Sequence, residues 1–185
     1  RVETFTYDDD DNELTRTVTV GATPITTTKE YDRNGNVTAS IDQEGRRYEI
    51  AYNSRNLETT RVLKAYQSDP VAASTPYDLT VSTTTYDDMG RKATVTDAEG
   101  RTQQFTYTIN DQVDMASQLA FDERNGSLSD LVISDTDYDA IGHPLTVWEG
   151  NGTRKTTITY NAAGLKETDS VFQNVAVGGV AAGTK

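Results

Sequence analysis

Apolar and aromatic positions recur at a period of two along short stretches of this chain, as in Val37, Ala39 and Ile41, then Tyr48, Ile50 and Tyr52, then Phe105 and Tyr107. Successive side chains of a strand point to opposite faces, so this alternation predicts half-buried β-strands rather than helices. Clusters of Asp, Asn and Gly interrupt it every ten or eleven residues and leave about six residues per strand, close to the usual strand length. The expectation is an all-β chain of antiparallel hairpins. Its phase is regular on the second strand of each hairpin and irregular on the first, where Ala93 and Val95, or Leu145 and Val147, sit one position later than Val37, Ala39 and Ile41. A bulge beside the turn would shift the phase, and the pattern leaves open which face is inward.

The interruptions themselves repeat. Tyr31-Asp32-Arg33-Asn34-Gly35, Tyr86-Asp87-Asp88-Met89-Gly90 and Tyr138-Asp139-Ala140-Ile141-Gly142 share the form Tyr-Asp-x-x-Gly. Eleven residues after each tyrosine stands an acid (Asp42, Asp97, Glu149), and fourteen after it a glycine (Gly45, Gly100, Gly152). A second tyrosine, Tyr52, Tyr107 or Tyr160, closes each unit at spacings of 21, 21 and 22, and Phe5 and Tyr7 repeat that ending near the start of the chain. The extra residue before Tyr160 predicts a bulge within residues 153–159. Neighbouring closing tyrosines are expected to stack in ladders across the strands.

An Asp or Asn side chain bonds the backbone two residues on, and glycine tolerates positive φ, so each cluster reads as a type I turn closed by a left-handed residue that forms a G1 bulge. Gly35, Gly90, Gly142, Gly164, Asn56 and Asp111 all take that closing slot. Turns are thus predicted near residues 33–35, 43–45, 54–56, 88–90, 98–100, 140–142 and 162–164.

Tyr-Asp-x-x-Gly, then Asp-x-x-Gly, then a closing Tyr resembles the YD repeat of the RHS family, which includes bacterial Rhs toxins, toxin-complex C components, wall-associated proteins and the teneurins. Three copies in register and a degenerate start cover residues 1–168. The resemblance implies a meander of hairpins forming a curved strip or part of a β-shell, which in bacterial toxins encloses a C-terminal effector. It implies as partners the adjoining repeats of a longer polypeptide or a partner chain, and secretion or surface display, in bacteria through a secretion system. The self-cleavage core of such proteins, Asp-Pro-x-Gly, has no copy here, since Asp69-Pro70-Val71-Ala72 lacks the glycine.

On this reading residues 1–173 form the repeat region, with units near 31–52, 86–107 and 138–160, and residues 174–185 a Gly/Ala/Val-rich tail. The intervals from Tyr52 to Tyr86 and from Tyr107 to Tyr138 are too long for one turn and one strand and predict an extra hairpin each, with loop insertions near 66–78 and 114–135. Met115 and Leu119 have helical spacing, though a hairpin ending at Asn125-Gly126 fits equally.

Charge narrows the function. A net charge of −12 repels phosphate backbones and anionic membranes, which argues against nucleic-acid binding. No apolar run approaches the length of a spanning helix, so no membrane insertion is expected. Without cysteine there is neither a disulfide nor a thiolate metal site. The chain begins at Arg1 without a leader pattern and reads as a piece of a longer polypeptide.

Paired carboxylates would suit glycoside hydrolysis. Asp42, Asp97 and Glu149, however, recur at one repeat position, which is more simply that of a turn former. Acids in residues 8–13 and 135–139 lack the spacing of a calcium loop and read as solvated turns or edges. His143, the single histidine, reads as a turn residue, and Trp148, the single tryptophan, as a packed strand residue rather than a sugar platform. No catalytic, cofactor or metal site is expected. The leading functional reading is a structural segment of a shell or surface element, and the alternative is an adhesin-like module binding glycan or protein through its loops.

Overall fold

The computed structural model describes residues 1–68, 75–122 and 128–173. Their strands are β1 (Val2–Tyr7), β2 (Glu13–Val20), β3 (Thr23–Tyr31), β4 (Val37–Ile41), β5 (Arg47–Tyr52), β6 (Glu58–Tyr66), β7 (Tyr77–Tyr86), β8 (Lys92–Asp97), β9 (Thr102–Tyr107), β10 (Val113–Asp122), β11 (Leu128–Tyr138), β12 (Pro144–Glu149), β13 (Arg154–Tyr160) and β14 (Lys166–Gln173). They form one antiparallel sheet in strict chain order, and no helix occurs among the described residues. The all-β meander expected from the alternation is what the chain adopts. Two compact units divide it, one of Arg1–Arg91 with Thr96–Glu99 and one of Lys92–Val95 with the residues from Gly100 onward. The tail at 174–185 lies outside the described residues.

Local chemistry builds the turns. In the turn between β3 and β4 the Asp32 amide donates to the Asn36 carbonyl at 2.9 Å and the Gly35 amide to the Asp32 carbonyl at 3.1 Å. The Asp32 Oδ1 accepts the amides of Asn34 and Asn36, both at 2.9 Å. Turns opening at Asp8, Asn53, Asp87, Thr108, Asp139 and Asn161 repeat both backbone bonds, and in each the first residue's side-chain oxygen takes the same two amides. The closing slot sits at positive φ whether glycine fills it (Gly35, Gly90, Gly142, Gly164) or Asp11, Asn56 or Asp111 does.

A bulge follows these turns at a constant place. Tyr31 faces Val37 while Glu30 faces Ala39, leaving Thr38 as the extra residue of β4. The same slip leaves Leu14, Thr59, Asp114, Leu145 and Glu167 extra on the strands after Tyr7, Tyr52, Tyr107, Tyr138 and Tyr160. Because the bulge precedes both Ala39 and Val147, it does not explain the uneven phase. The register does: Ala39 shares a face with Glu49, whereas Val147 shares one with Thr156 and so with Ile158 and Tyr160. Apolar residues of the first strands fall on both faces of the sheet.

Two sequence expectations change. The extra residue before Tyr160 makes no bulge in residues 153–159 where β13 meets β12: pairing runs unbroken from Thr146↔Thr157 to Glu149↔Arg154, and the hairpin gains one pair closed by a four-residue turn at Gly150, Asn151, Gly152 and Thr153. The interval 114–135 is largely strand, with β10 running to Asp122 and β11 starting at Leu128, whereas in 66–78 the strand residues are Tyr66, Tyr77 and Asp78, residues 67, 68, 75 and 76 belong to no strand, and 69–74 lie outside the described residues. Met115 and Leu119 are strand residues of β10, while Asn125-Gly126 and Asp69-Pro70 lie outside the described residues.

The long hairpins are built alike. Leu63 faces Leu79 and Tyr66 faces Tyr77, so Lys64 and Ala65 bulge opposite Asp78; Gln118 faces Leu131 and Phe121 faces Ser129, so Leu119 and Ala120 bulge opposite Asp130. Ala65 and Ala120 are both left-handed, at φ 51° and 48°, and their amides donate to Asp78 Oδ1 at 3.2 Å and Asp130 Oδ1 at 3.0 Å.

Little is buried. Ala39, Ile50, Leu63, Ala116, Ser117 and Gly152 are the buried residues among those described, and none is a large side chain sealed completely. Backbone pairing and turn geometry therefore carry more of this fold than a packed core does. Gly45, in the turn after β4, has φ +79° and open space where a Cβ would project, so Gly45→Val tests conformation without collision. The variant is expected to lose about 1–3 kcal/mol of stability, against about 0.5 kcal/mol or less for the exposed Gln43→Ala, read from urea denaturation midpoints.

Candidate functional site

The feature that recurs along the chain is the edge where the tyrosine turns lie. Beside six of these turns one carbonyl, that of the residue six after the tyrosine, receives a side-chain donor. A buried or half-buried carbonyl needs a donor. The next tyrosine supplies it: Tyr31 Oη donates to the Glu13 carbonyl at 2.9 Å, Tyr52 to Val37 at 2.9 Å, and Tyr86 to Glu58 at 2.6 Å. In the second unit Tyr107 donates to Lys92 at 2.8 Å, Tyr138 to Val113 at 2.8 Å and Tyr160 to Pro144 at 3.1 Å. The tyrosines expected to stack on one another are thus joined from turn to turn through their hydroxyls. Burial raises the pKa of Tyr52 and Tyr86, keeping both hydroxyls protonated donors.

In four of these turns the fifth residue adds a second link. Asn12 and Asn36 donate to Oδ2 of Asp8 and Asp32 at 3.0 and 2.9 Å, Arg91 Nε to Asp87 Oδ2 at 2.7 Å, and His143 Nδ1 stands 3.1 Å from Asp139 Oδ2. That residue also covers the next turn. Asn36 donates to Asn56 Oδ1 at 2.9 Å, Leu57 packs on Gly90, Gln112 Nε2 donates to the Gly142 carbonyl at 2.6 Å, and the His143 ring lies over Gly164 and stacks on Tyr160 at 4.5 Å. The side-chain amides of Asn12 and Asn36, with the turn backbone amides, hold Asp8 and Asp32 below the usual aspartate range. At Asp42, Asp87 and Asp139 desolvation pushes upward, and the turn amides and the fifth residue outweigh it.

In the first unit the face opposite Tyr48, Ile50 and Tyr52 carries a chain of ion pairs. Arg47 binds Glu30 at 2.6 Å and Glu49 at 3.3 Å, and Lys64 joins Glu49 at 3.4 Å to Asp78. Below it lies a shallow groove of about 390 Å³ floored by Ala39, and a second of about 490 Å³ is lined by Thr59, Thr60, Thr83, Thr85 and Arg55. On β1 to β3 this face is an array of threonines, with hydroxyl pairs Thr6–Thr15 at 2.7 Å and Thr17–Thr26 at 2.8 Å.

The sequence candidates separate. Tyr31, Tyr52, Tyr86, Tyr107, Tyr138 and Tyr160 make the hydroxyl bonds, and Asp32, Asp87 and Asp139 open turns closed by Gly35, Gly90 and Gly142, while Gly164 closes the turn at Asn161. Asp42 opens an identical turn closed by Gly45 and ion-pairs with Arg46 at 2.6 Å. Asp97 accepts the Glu99 amide at 3.0 Å, and Gly100 is left-handed. Glu149 differs: it ends β12, pairs with Arg154 at 3.0 Å, and the turn beside it uses Asn151, whose Oδ1 accepts the Val132 amide, with Gly152 left-handed. Residues 8–12 form a tyrosine turn, and Asp135 and Asp137 are strand residues of β11. No trio of His, Asp or Glu placed to hold a metal occurs among the described residues. Trp148 lies in β12 under the Lys155 ammonium, 4.6 Å from the ring centroid.

Sequence reasoning missed the duplication of the long hairpins. Its signal is Ala65-Tyr66 with Asp78-Leu79-Thr80-Val81-Ser82, matched by Ala120-Phe121 with Asp130-Leu131-Val132-Ile133-Ser134.

No protein-family model matches the chain, and no curated protein matches it in sequence. Solved structures do match in fold. A crystal structure of TcdB2-TccC3-Cdc42 covers 87% of this chain with a TM-score of 0.67 at 13% identity. TcdB2-TccC3 without its hypervariable C-terminal region covers 85% at a TM-score of 0.65, and the Photorhabdus luminescens Tc holotoxin pore 82% at 0.60, both at 13% identity. The chain spans 9%, 8% and 8% of those chains' own lengths. The shared property at this identity is the fold.

Removing one ladder hydroxyl leaves a carbonyl without its donor. Tyr52→Phe and Tyr138→Phe are each expected to lose about 1 kcal/mol and to add when combined, because they lie in different units, whereas Tyr7→Phe, with no strand before β1 among the described residues, should lose almost nothing in urea titrations. The turn carboxylates make a separate pH prediction. A carboxylate whose folded pKa is depressed contributes stability that is present above its ordinary value, 3.8 for aspartate, and is lost as pH falls through the folded value. Asn53 and Asn161 show that an amide serves in this slot. Asp32→Asn should therefore fold normally at pH 7 and show a shallower loss of stability below pH 3.8 than the parent chain in acid titrations followed by circular dichroism.

Proposed function

We propose that this chain is a non-catalytic structural segment of an RHS-repeat shell that encloses or presents a toxin or effector, its chemistry being backbone pairing and tyrosine bonding. The observation that carries this reading is the turn-to-turn tyrosine ladder, which joins each turn to the next along the described strands. Tyr7 is a donor position with no earlier strand to reach, and Lys166 stands six after Tyr160, where a further tyrosine would bind its carbonyl. The strands at those edges, β1 and β14, are exposed along their whole length. Repeat units of this kind bury surface only against neighbours. The fold likeness to TcdB2-TccC3 chains, components of multi-chain assemblies, supports the same reading, and with it adjoining repeats or a partner chain, and secretion. The carboxylates most open to an enzymatic reading, Asp42 and Asp97, are engaged by turn amides.

A second reading, an adhesin-like module, is favoured by the hydroxyl-lined groove of Thr59, Thr60, Thr83 and Thr85 with Arg55, whose donors and acceptors suit a glycan. Light scattering coupled to chromatography over a concentration series separates the two. The structural reading expects defined, concentration-dependent association of the chain, with the denaturation midpoint rising as it associates; the charge of −12 opposes amorphous aggregation. A cooperatively folded monomer whose midpoint ignores concentration would overturn it, and selective retention on a glycan array would then establish the second reading.

A further inference from the structure

The tyrosine-turn edge of the second unit carries large aliphatic side chains where turns ordinarily place polar ones. Ile109 is 89% exposed and Ile141 76% exposed. Their turns are adjacent and tied together, since Gln112 follows Ile109 in its turn and bonds the Gly142 carbonyl beside Ile141. Ala140, Ala162 and Ala163 are also exposed on these turns and leave room for close approach.

Repeat continuity does not account for this pair. The turn-to-turn contact runs through the fifth turn residue, as Leu57 shows on Gly90, and through the third, as Arg55 shows by donating to the Asp88 carbonyl at 2.6 Å; the exposed Leu165 is in a position that a following turn would cover. Ile109 and Ile141 occupy the second and third turn positions, and the turns that follow theirs, opening at Asp139 and Asn161, are already in place and leave both exposed. A further repeat would leave them bare, and a paired aliphatic patch of this kind marks an interaction surface.

The surrounding charge selects the occupant. Asp111, Asp114, Asp137, Asp139 and Glu167 flank these turns, with Lys166 the one cation of the three turns and the strand residues next to them. We propose that Ile109 and Ile141 form a docking surface for a protein segment that presents aliphatic side chains flanked by lysine or arginine. Acidic flanks steer such a segment and discriminate against acidic ones.

The probes are an amphipathic peptide of leucine and lysine, its leucine–glutamate counterpart, and phosphatidylcholine vesicles, each titrated against the whole chain by fluorescence anisotropy or, for vesicles, by flotation. The lysine peptide is expected to bind, the glutamate peptide not to, and the double variant Ile109→Ser/Ile141→Ser to bind the lysine peptide about tenfold more weakly. Met89→Ser, at an equally exposed turn residue of the first unit, should leave binding unchanged. Unchanged circular dichroism of the double variant, expected from its exposed sites, shows that folding is intact; should it misfold, Ile109→Lys and Ile141→Lys singly test the same point by adding repulsion. Equal binding by parent and variant, no binding of the lysine peptide, or flotation with vesicles at equal or greater affinity would each overturn the proposal. None of these outcomes bears on self-association, so the shell reading stands or falls separately.

Discussion

Beside six of the turns a backbone carbonyl takes a hydrogen bond from a tyrosine hydroxyl of the adjoining strand, and the architecture depends on that bond. The bulge after the turn gives each strand the extra twist and residue that the turn geometry needs. A phenol at the end of the adjacent strand donates to the carbonyl. Six tyrosines do this at a constant offset, from Tyr31 on Glu13 to Tyr160 on Pro144. The bond is worth about 1 kcal/mol in net terms, but it recurs, and each one fixes the register of a turn relative to the one before it.

That linkage matters more here than it would in a layered domain. A sheet with a second layer hides one face, and its sequence must alternate strictly to do so. Among the described residues both faces remain accessible, so both carry mixed chemistry. Ile50 and Leu63 lie on the tyrosine face, Ala39 lies on the other beneath Arg47 and Glu30, and threonines fill much of the rest. The chain of ion pairs from Glu30 to Asp78 is exposed, and surface pairs of that kind contribute at most about 1 kcal/mol each. Specificity of pairing thus rests on turns and hydroxyls.

Legibility in the sequence followed locality. The Asx turns were readable because their chemistry lies within five residues: Asp32 bonds Asn34 and Asn36, and Gly35 or its substitute Asn56 needs nothing beyond its own φ. A bulge beside each turn was legible with the turn chemistry, but which residue is the extra one, Thr38 or Leu145, was not, because that is set between two strands. The tyrosine bonds were hidden for the same reason: spacing located the phenols but not the carbonyl one hairpin earlier. Glu149 misled because it keeps the position of Asp42 while its hairpin is one pair longer, so the turn passes to Asn151. The extra hairpins were legible from the long intervals, but their likeness to each other was not, because the sequence between the matched bulge residues differs in length and breaks a fixed period.

Those matched bulges show where geometry outranks local preference. A left-handed alanine is disfavoured by roughly 1–2 kcal/mol, and glycine or asparagine would relieve it. Ala65 and Ala120 nevertheless both adopt it, at places 55 residues apart, and in both an aspartate from the facing strand accepts the alanine amide. A single instance could be an accident of one hairpin. Two instances, with Asp78-Leu79 and Asp130-Leu131 opposite them, mean that the carboxylate and the strained residue work as one element, the acceptor holding the amide in the only conformation that presents it. The unit that repeats is therefore larger than the tyrosine turn. It is a short hairpin followed by a long, kinked one, and the tyrosine ladder runs through both without interruption because the kink lies at the far end of the strands from the turns that the ladder joins.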